Sequence, residues 1–517
     1  MNLTCTNYSR IKITGVCFIL LAIFWLILAP KAFSQSLSTG TYYAFPERIA
    51  LADGYHATGE RGLLAVPINR AKKEESASIL IEFFRFRGTN DDARRHSPIF
   101  RLYGGPGFSG LDNRLSDPEF YAREIEPFLS VADFVVVGQR GIGTSLPNTL
   151  CGSIDYPSSE LTEEAVTQAI QEACQDCKQF WEEKELDLTS FNIVEAAADV
   201  DDVRQALGYD QITLWGGSFG SHWSMAVMRY HSEVIERALL WGLEGPNHTY
   251  DVPSYVLNSV KRVAAAADTA AALQDYIPEG GLIAALETVI ERVEQEPVTI
   301  TVNPESENGQ VVINADVVRD VALGYSGQIS SRRNMPTWPS DILHLYAEDY
   351  EPLARAVYYY RQNSRLPTAS FFMLDCASGI TPERHQQIAN DPAQKILGNT
   401  GGFYDAACPV WDTDLGDDFR ANFDTNIPTL LANGTWDTST PIENVRELKP
   451  YFKNSHLVVI EGGSHNAFNE AMAESEALQK EVKEFLSSGD FTGLPEKVTL
   501  LPIDWEVPNL PTAQADE

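Results

Sequence analysis

Residues 214–223 read LWGGSFGSHW, which sets Ser218 among glycines directly after a short apolar run. A serine that only fills a turn needs no such surroundings. One that must project its hydroxyl from a strained strand-to-helix corner needs neighbours without side chains, and Gly216-x-Ser218-x-Gly220 has the form of a nucleophile elbow. Three residues of ordinary abundance make this pattern by chance roughly once in six chains of such a size. The flanking sequence has to decide.

Upstream, short apolar runs recur, each closed by glycine-rich punctuation. IFRLYGGPG closes at Gly104 to Gly107, ADFVVVGQRGIG at Gly138 to Gly143, ITLWGGSFG at the elbow and RALLWGLEGP at Gly245. Between the second and third lies FNIVEAAADVDDVRQALGYD, whose apolar residues recur at helical spacing and whose Gly208 suits a C-terminal cap. Strands alternating with helices predict an α/β fold with a mostly parallel central sheet flanked by helices. Ligands bind such sheets beyond the carboxyl ends of the strands, where all these glycine-rich loops fall. From Thr41 to Arg87 the alternation of RGLLAVPINR and SILIEFFRF adds further strands. After Pro246 the pattern turns helical, as in SYVLNSVKRVAAAADTAAAL, and strands return only at IPTLLANG and HLVVIEGG. The expected division is a leader over 1–34, a core in two parts over 35–245 and 426–487, a helical lid over 246–425 inserted before the penultimate core strand, and a tail over 488–517 to which the sequence assigns no role.

A serine hydroxyl is a poor nucleophile unless a base takes its proton and a carboxylate orients that base. The returning strands offer both: NGTWDTSTP places Asp437 in a loop after one strand, and EGGSHNAF places His465 in a loop after the next. The order Ser218, Asp437, His465 is that of an α/β-hydrolase. Rival assignments are weaker. His222 and His231 fall on the helix after the elbow, where packing is the default, and Asp412 precedes the penultimate strand in a lid-return loop. An oxyanion formed in acyl transfer would meet the backbone N–H of Phe219 and a second one from Gly105 or Gly104 in YGGPG, although Gly-Gly-Pro-Gly also makes a plain tight turn.

With 517 residues, 44% of them hydrophobic, the chain can bury a large core. Arg10 and Lys12, the apolar run Ile13 to Ala29 and the small residues of Ala32-Phe33-Ser34 predict a cleaved secretory leader, with an uncleaved membrane anchor as the alternative. Either places the remainder outside the cytoplasm, secreted or periplasmic, and a cleaved leader leaves no stable membrane insertion. A net charge of −33 disfavours nucleic acid or an anionic membrane as partner. Beyond the leader, Cys151, Cys174, Cys177, Cys376 and Cys408 can form two disulfides with one thiol left over. Their pairing is not legible, and Cys174-x-x-Cys177 reads better as half of a structural bridge, to Cys151 for instance, than as a metal or redox site.

In these motifs the chain resembles the serine exopeptidases of the α/β-hydrolase fold that include proline iminopeptidase and the secreted tripeptidyl aminopeptidases. YGGPG is similar to that family's HGGPG, GQRGIGTS to its DQRGxGxS and GGSFGS to its elbow, while NGTWDTSTP and GGSHN match its acid and base loops. AVPINR, DCASG and CPVW look more like the secreted tripeptidyl branch. Tyr103 stands where the family has histidine and Gly138 where it has aspartate, so the packing beneath the oxyanion loop should differ. The resemblance implies removal of short peptides from a free N-terminus through an acyl-enzyme, without metal or organic cofactor. It also implies an acidic partner for the substrate ammonium, for which Glu244 in GLEGP lies in a suitable loop, a solvated glutamate at the lid hinge being the alternative. An esterase with the same machinery and a catalytically silent binding protein are the other readings.

Overall fold

A computed structural model describes residues 38–50, 56–72, 77–107, 118–156, 162–306, 309–323 and 329–511, so the expected leader lies outside the described residues. The apolar runs of the sequence become the strands of one ten-stranded sheet. In chain order these are β1 (Tyr42–Ala50), β2 (His56–Pro67), β3 (Ser78–Phe86), β4 (Ile99–Leu102), β5 (Phe134–Val137), β6 (Ile212–Ser218) and β7 (Ile235–Leu243), and then β10 (Thr429–Gly434), β11 (Ser455–Glu461) and β12 (Lys497–Thr499). Their order across the sheet is β1-β2-β3-β5-β4-β6-β7-β10-β11-β12. β1, β2, β3 and β5 pair antiparallel, and every later pair is parallel.

Both faces of the central strands are covered, which is why these strands read as unbroken apolar runs rather than as alternating ones. Period two still sorts their side chains. Val135, Val137 and Leu214 enter one core with Val203 and Trp223, whereas Phe134, Val136 and Trp215 enter the other with Trp241 and Phe468. The helix Ile193–Leu207 covers the first face. Asn192 Oδ1 accepts from Val194 N and Glu195 N at its start, and Gly208 closes its end in the left-handed region at φ 76°.

Between β7 and β10 the chain is mainly helical, from Pro253–Asp268 to Asp417–Arg420, around its own apolar core that includes Leu286, Val318 and Trp338. It also holds a short hairpin, β8 (Val298–Thr301) with β9 (Gln310–Ile313), too brief to stand out in the sequence. Two disulfides, Cys151–Cys177 and Cys376–Cys408, leave Cys174 free and buried. The C-terminal segment, to which the sequence assigns no role, adds β12 to the sheet edge and then packs Trp505 beside Trp436, with Glu506 N donating to Pro336 O. Among the described residues no helix is long and apolar enough to cross a membrane.

Candidate active site

β6 delivers Ser218 at the carboxyl edge of the sheet with φ 58° and ψ −137°, a backbone conformation that side-chain-bearing residues rarely adopt. The flanking glycines make the turn possible. A Cβ on Gly216 would lie 2.2 Å from Gly220 O, and one on Gly220 would lie 2.2 Å from Leu102 O. The helix Phe219–Tyr230 starts at once, so the N–H of Phe219 belongs to a first turn whose donors have no intrahelical acceptor. Ser221 Oγ donates to Ser218 O at 2.7 Å and accepts from Glu244 N at 2.9 Å, tying the elbow to the loop after β7.

Asp437 follows β10 and is fully buried, accepting hydrogen bonds from Ser439 N and Thr440 N at 2.9 Å each and from Thr440 Oγ1 at 2.7 Å. His465 follows β11, and its Nδ1 lies 3.0 and 3.1 Å from the two carboxylate oxygens of Asp437. Thr440 Oγ1 is 3.2 Å from the same nitrogen, so the hydroxyl that donates to Asp437 also accepts from the ring. Trp436 N donates to Gly463 O at 2.9 Å, joining the two loops directly. Burial opposes the imidazolium, but the charge and hydrogen bond of Asp437 outweigh it and raise the His465 pKa above its ordinary value.

The end of β7 shows how closely these segments approach. A Cβ on Gly242 would lie 3.0 Å from Thr440 Oγ1, 3.4 Å from His465 Cε1 and 3.5 Å from Ser218 N. The loop after β4 closes the other side: a Cβ on Gly104 would be 2.9 Å from Ser218 Cβ and 3.4 Å from its Oγ. Serine, imidazole, carboxylate and the Gly104–Gly105 turn therefore share one rim, an arrangement suited to acyl transfer. The two departures noted in the sequence also have a physical setting. Tyr103 is buried with its ring 4.1 Å from the Arg101 guanidinium, and a side chain at Gly138 would meet Glu82 O at 2.7 Å.

Glu244 is half-buried and has company that the sequence did not announce. Asp375, from the inserted helix Ala369–Ser378, is buried, accepts from Tyr404 Oη at 2.7 Å and leaves Oδ1 with no partner among the described residues. Asp251 lies in the loop leading to the first inserted helix and interacts electrostatically with both Glu244 and His465. Burial pushes the pKa of Asp251 and of Asp375 up to about 7, and burial together with these two neighbours pushes Glu244 well above the carboxylate range. Tyr250 stacks on Tyr404 at 5.0 Å, and Phe371 carries the aromatic wall toward the Gly104–Gly107 loop, 3.4 Å from where a Gly107 Cβ would stand. Asp375 had one readable signal, a lone charge inside the apolar run ASFFMLDCAS.

The rival residues sit elsewhere. His222 is buried between Gly245 O and Ser378 Oγ, His231 follows the end of the elbow helix, and Asp412 caps the helix Gly402–Trp411. Among the described residues no group of three or more His, Cys, Asp and Glu side chains is arranged to hold a metal ion.

Residues 98–268 match the family described as alpha/beta hydrolase fold, and residues 395–496 match one described as TAP-like protein. The serine protease Hip1 of Mycobacterium tuberculosis and that of Mycobacterium bovis are each 26% identical over 201 residues, covering 36% of this chain and 36% of theirs. The chain thus matches little more than a third of the length of these curated relatives. Among solved structures, an esterase from Exiguobacterium antarcticum is 15% identical with a TM-score of 0.34, covering 86% of this chain and 100% of its own. A serine hydrolase from Cycloclasticus zankles is 11% identical with a TM-score of 0.33, covering 86% of this chain and 98% of its own.

Proposed function

Since the chain has the α/β-hydrolase fold, we propose that it is an exported serine hydrolase that removes short peptides from a free N-terminus. Ser218 Oγ attacks the scissile carbonyl, His465 takes its proton and returns it to the leaving amine, and Asp437 holds the ring in the required tautomer. The N–H groups of Phe219 and of the Gly104–Gly105 turn receive the oxyanion, and water then releases the acyl group from Ser218. No metal or organic cofactor has a part in these steps. The two disulfides suit an oxidising exterior, in keeping with the leader expected over residues 1–34.

The observation that carries the exopeptidase reading is the group Glu244, Asp251 and Asp375, in which Asp375 is buried with Oδ1 unpartnered among the described residues and Asp251 also interacts with His465. Three carboxylates crowded away from water repel one another and gain most from a cation placed among them, and the α-ammonium of a peptide supplies one. The match to a TAP-like protein and the name of the mycobacterial relatives support a peptidase over an esterase. The test is a panel of peptidyl anilides with free and acetylated N-termini beside short nitrophenyl esters. Preference for free N-termini by at least about tenfold in kcat/KM, the worth of one modest ionic contact, is expected. Turnover of esters alone would establish the esterase reading, and equal turnover of free and blocked peptides would remove the role of the carboxylates.

A further inference from the structure

Gln139 follows β5 in the loop Gly138 to Gly143 and is buried. Its side-chain amide brackets the segment Tyr103–Gly107. Oε1 accepts from Gly107 N at 3.1 Å, while Nε2 faces Tyr103 O and Gly104 O at 3.4 Å each. The clamp hangs from a rigid anchor. Its neighbour Arg140 is completely buried, grips both oxygens of Asp199 at 2.8 and 2.7 Å, and donates to Ile68 O and Ser190 O. Arg70 Nη2 also donates to Asp199 Oδ1, at 2.7 Å. The clamped Gly104 lies against the serine: a Cβ there would be 2.9 Å from Ser218 Cβ.

We infer that Gln139 is a positioning residue that fixes the N–H groups of the Gly104–Gly105 turn for the oxyanion; this rests on the serine-hydrolase reading above. An amide is the group the place requires, because one end must donate to two carbonyls and the other must accept from an N–H. Glutamate has the same shape without the donor. When ionised it turns a negative charge on those carbonyls and on the oxyanion beyond them, and when protonated it donates again. The charged groups on the neighbouring strands are all paired: Glu82 with Arg61, Arg101 with Glu124 and Leu102 O, and Arg140 with Asp199. Glutamate placed at 139 would therefore be the new ionisation facing the turn.

The experiment measures, from pH 5 to 9, the rate of Ser218 modification by a fluorophosphonate probe, with kcat and KM on an activated ester, for wild type, Gln139→Glu and Gln139→Met. A carboxylate at 139 that acted only by raising the His465 pKa would lower the ratio to wild type on acidification, opposite to the gain expected here. Gln139→Glu is expected to lose about 100- to 1000-fold in kcat at pH 9, the worth of one oxyanion donor, with KM changed by less than about threefold, and to regain at least tenfold on acidification. Gln139→Met, which can neither donate nor regain a proton, is expected to show a comparable loss at every pH. A Gln139→Glu ratio that stays flat with pH overturns the inference, as does loss of the thermal unfolding transition in Gln139→Met, which would make the residue part of the folding core. Failure of the probe to modify the wild type would instead defeat the serine-hydrolase reading itself.

Discussion

Ser218 could be found from its neighbours because an exposed hydroxyl on a left-handed backbone needs glycines around it, and Gly216 and Gly220 are contacted too closely to be anything else. Asp437 and His465 were legible for a related reason: each lies just past a strand, in a loop that must reach the same rim. Thr440 was not legible, since nothing in TSTP shows that one hydroxyl of three bonds both the acid and the base. Thr440→Ala removes a donor from a buried carboxylate, which costs about 1–3 kcal/mol. Steady-state kinetics should show kcat reduced about ten- to hundredfold with KM little changed, and unaltered kcat would mean that the loop backbone alone orients Asp437. Asp375→Asn separates stability from function. Its carboxyl, pushed up to about 7 by burial, holds a proton in the folded chain where the unfolded chain has lost it, so stability falls as pH rises from about 4 to 7 and the penalty persists above 7. Asparagine can still accept from Tyr404 without that penalty. The variant should melt higher than wild type at pH 8, by calorimetry, while its KM for free N-terminal peptides rises, and a lower melting temperature would contradict the assigned cause.

At the scale of elements, the rim is assembled by pieces that come from different parts of the fold. The first is the parallel strand series β4, β6, β7, β10 and β11, whose carboxyl ends carry every loop of the site. It was readable because buried parallel strands leave unbroken apolar runs with glycine at their ends. The second is the pair of inserted helices Ala369–Ser378 and Gly402–Trp411, which bring Asp375 and Tyr404 together. Their contribution was hidden because helical periodicity tells which face is buried and not which distant helix meets it. Cys376–Cys408 ties these helices across a separation of 32 residues. Closing a loop of that length contributes about 2–4 kcal/mol through the unfolded chain. Replacing both cysteines by serine should lower the melting temperature and raise KM for free N-terminal peptides more than it lowers kcat. An equal fall in kcat with KM unchanged would show that the two helices serve the chemistry rather than the ammonium.

Across the whole molecule, stability and function meet in the way the insertion is held over the sheet. His465 N donates to Ser330 O, Arg332 Nη1 donates to Gly462 O at 2.6 Å, and Trp505 of the C-terminal segment packs on Trp436 beside the acid. Insertion, tail and the loops of Asp437 and His465 are thus one packed unit. Protonation reports on all of it at once. His465 must be neutral to act as a base, and its pKa is raised, so kcat should fall as pH drops through a midpoint above 6.5, the value of an unperturbed imidazole. Asp251 and Asp375 gain protons near pH 7, so KM for free N-terminal peptides should rise over the same range. A pH-rate series in which kcat holds steady down to pH 5 would contradict the first assignment. The meeting of residues 218, 437 and 465 at one point is tested most directly by mapping the fluorophosphonate adduct by mass spectrometry in folded wild type and in His465→Ala. A single adduct on Ser218 is expected, forming rapidly in the wild type and slowly, if at all, without the imidazole. An adduct on another residue, or a folded protein modified equally fast without His465, would contradict it.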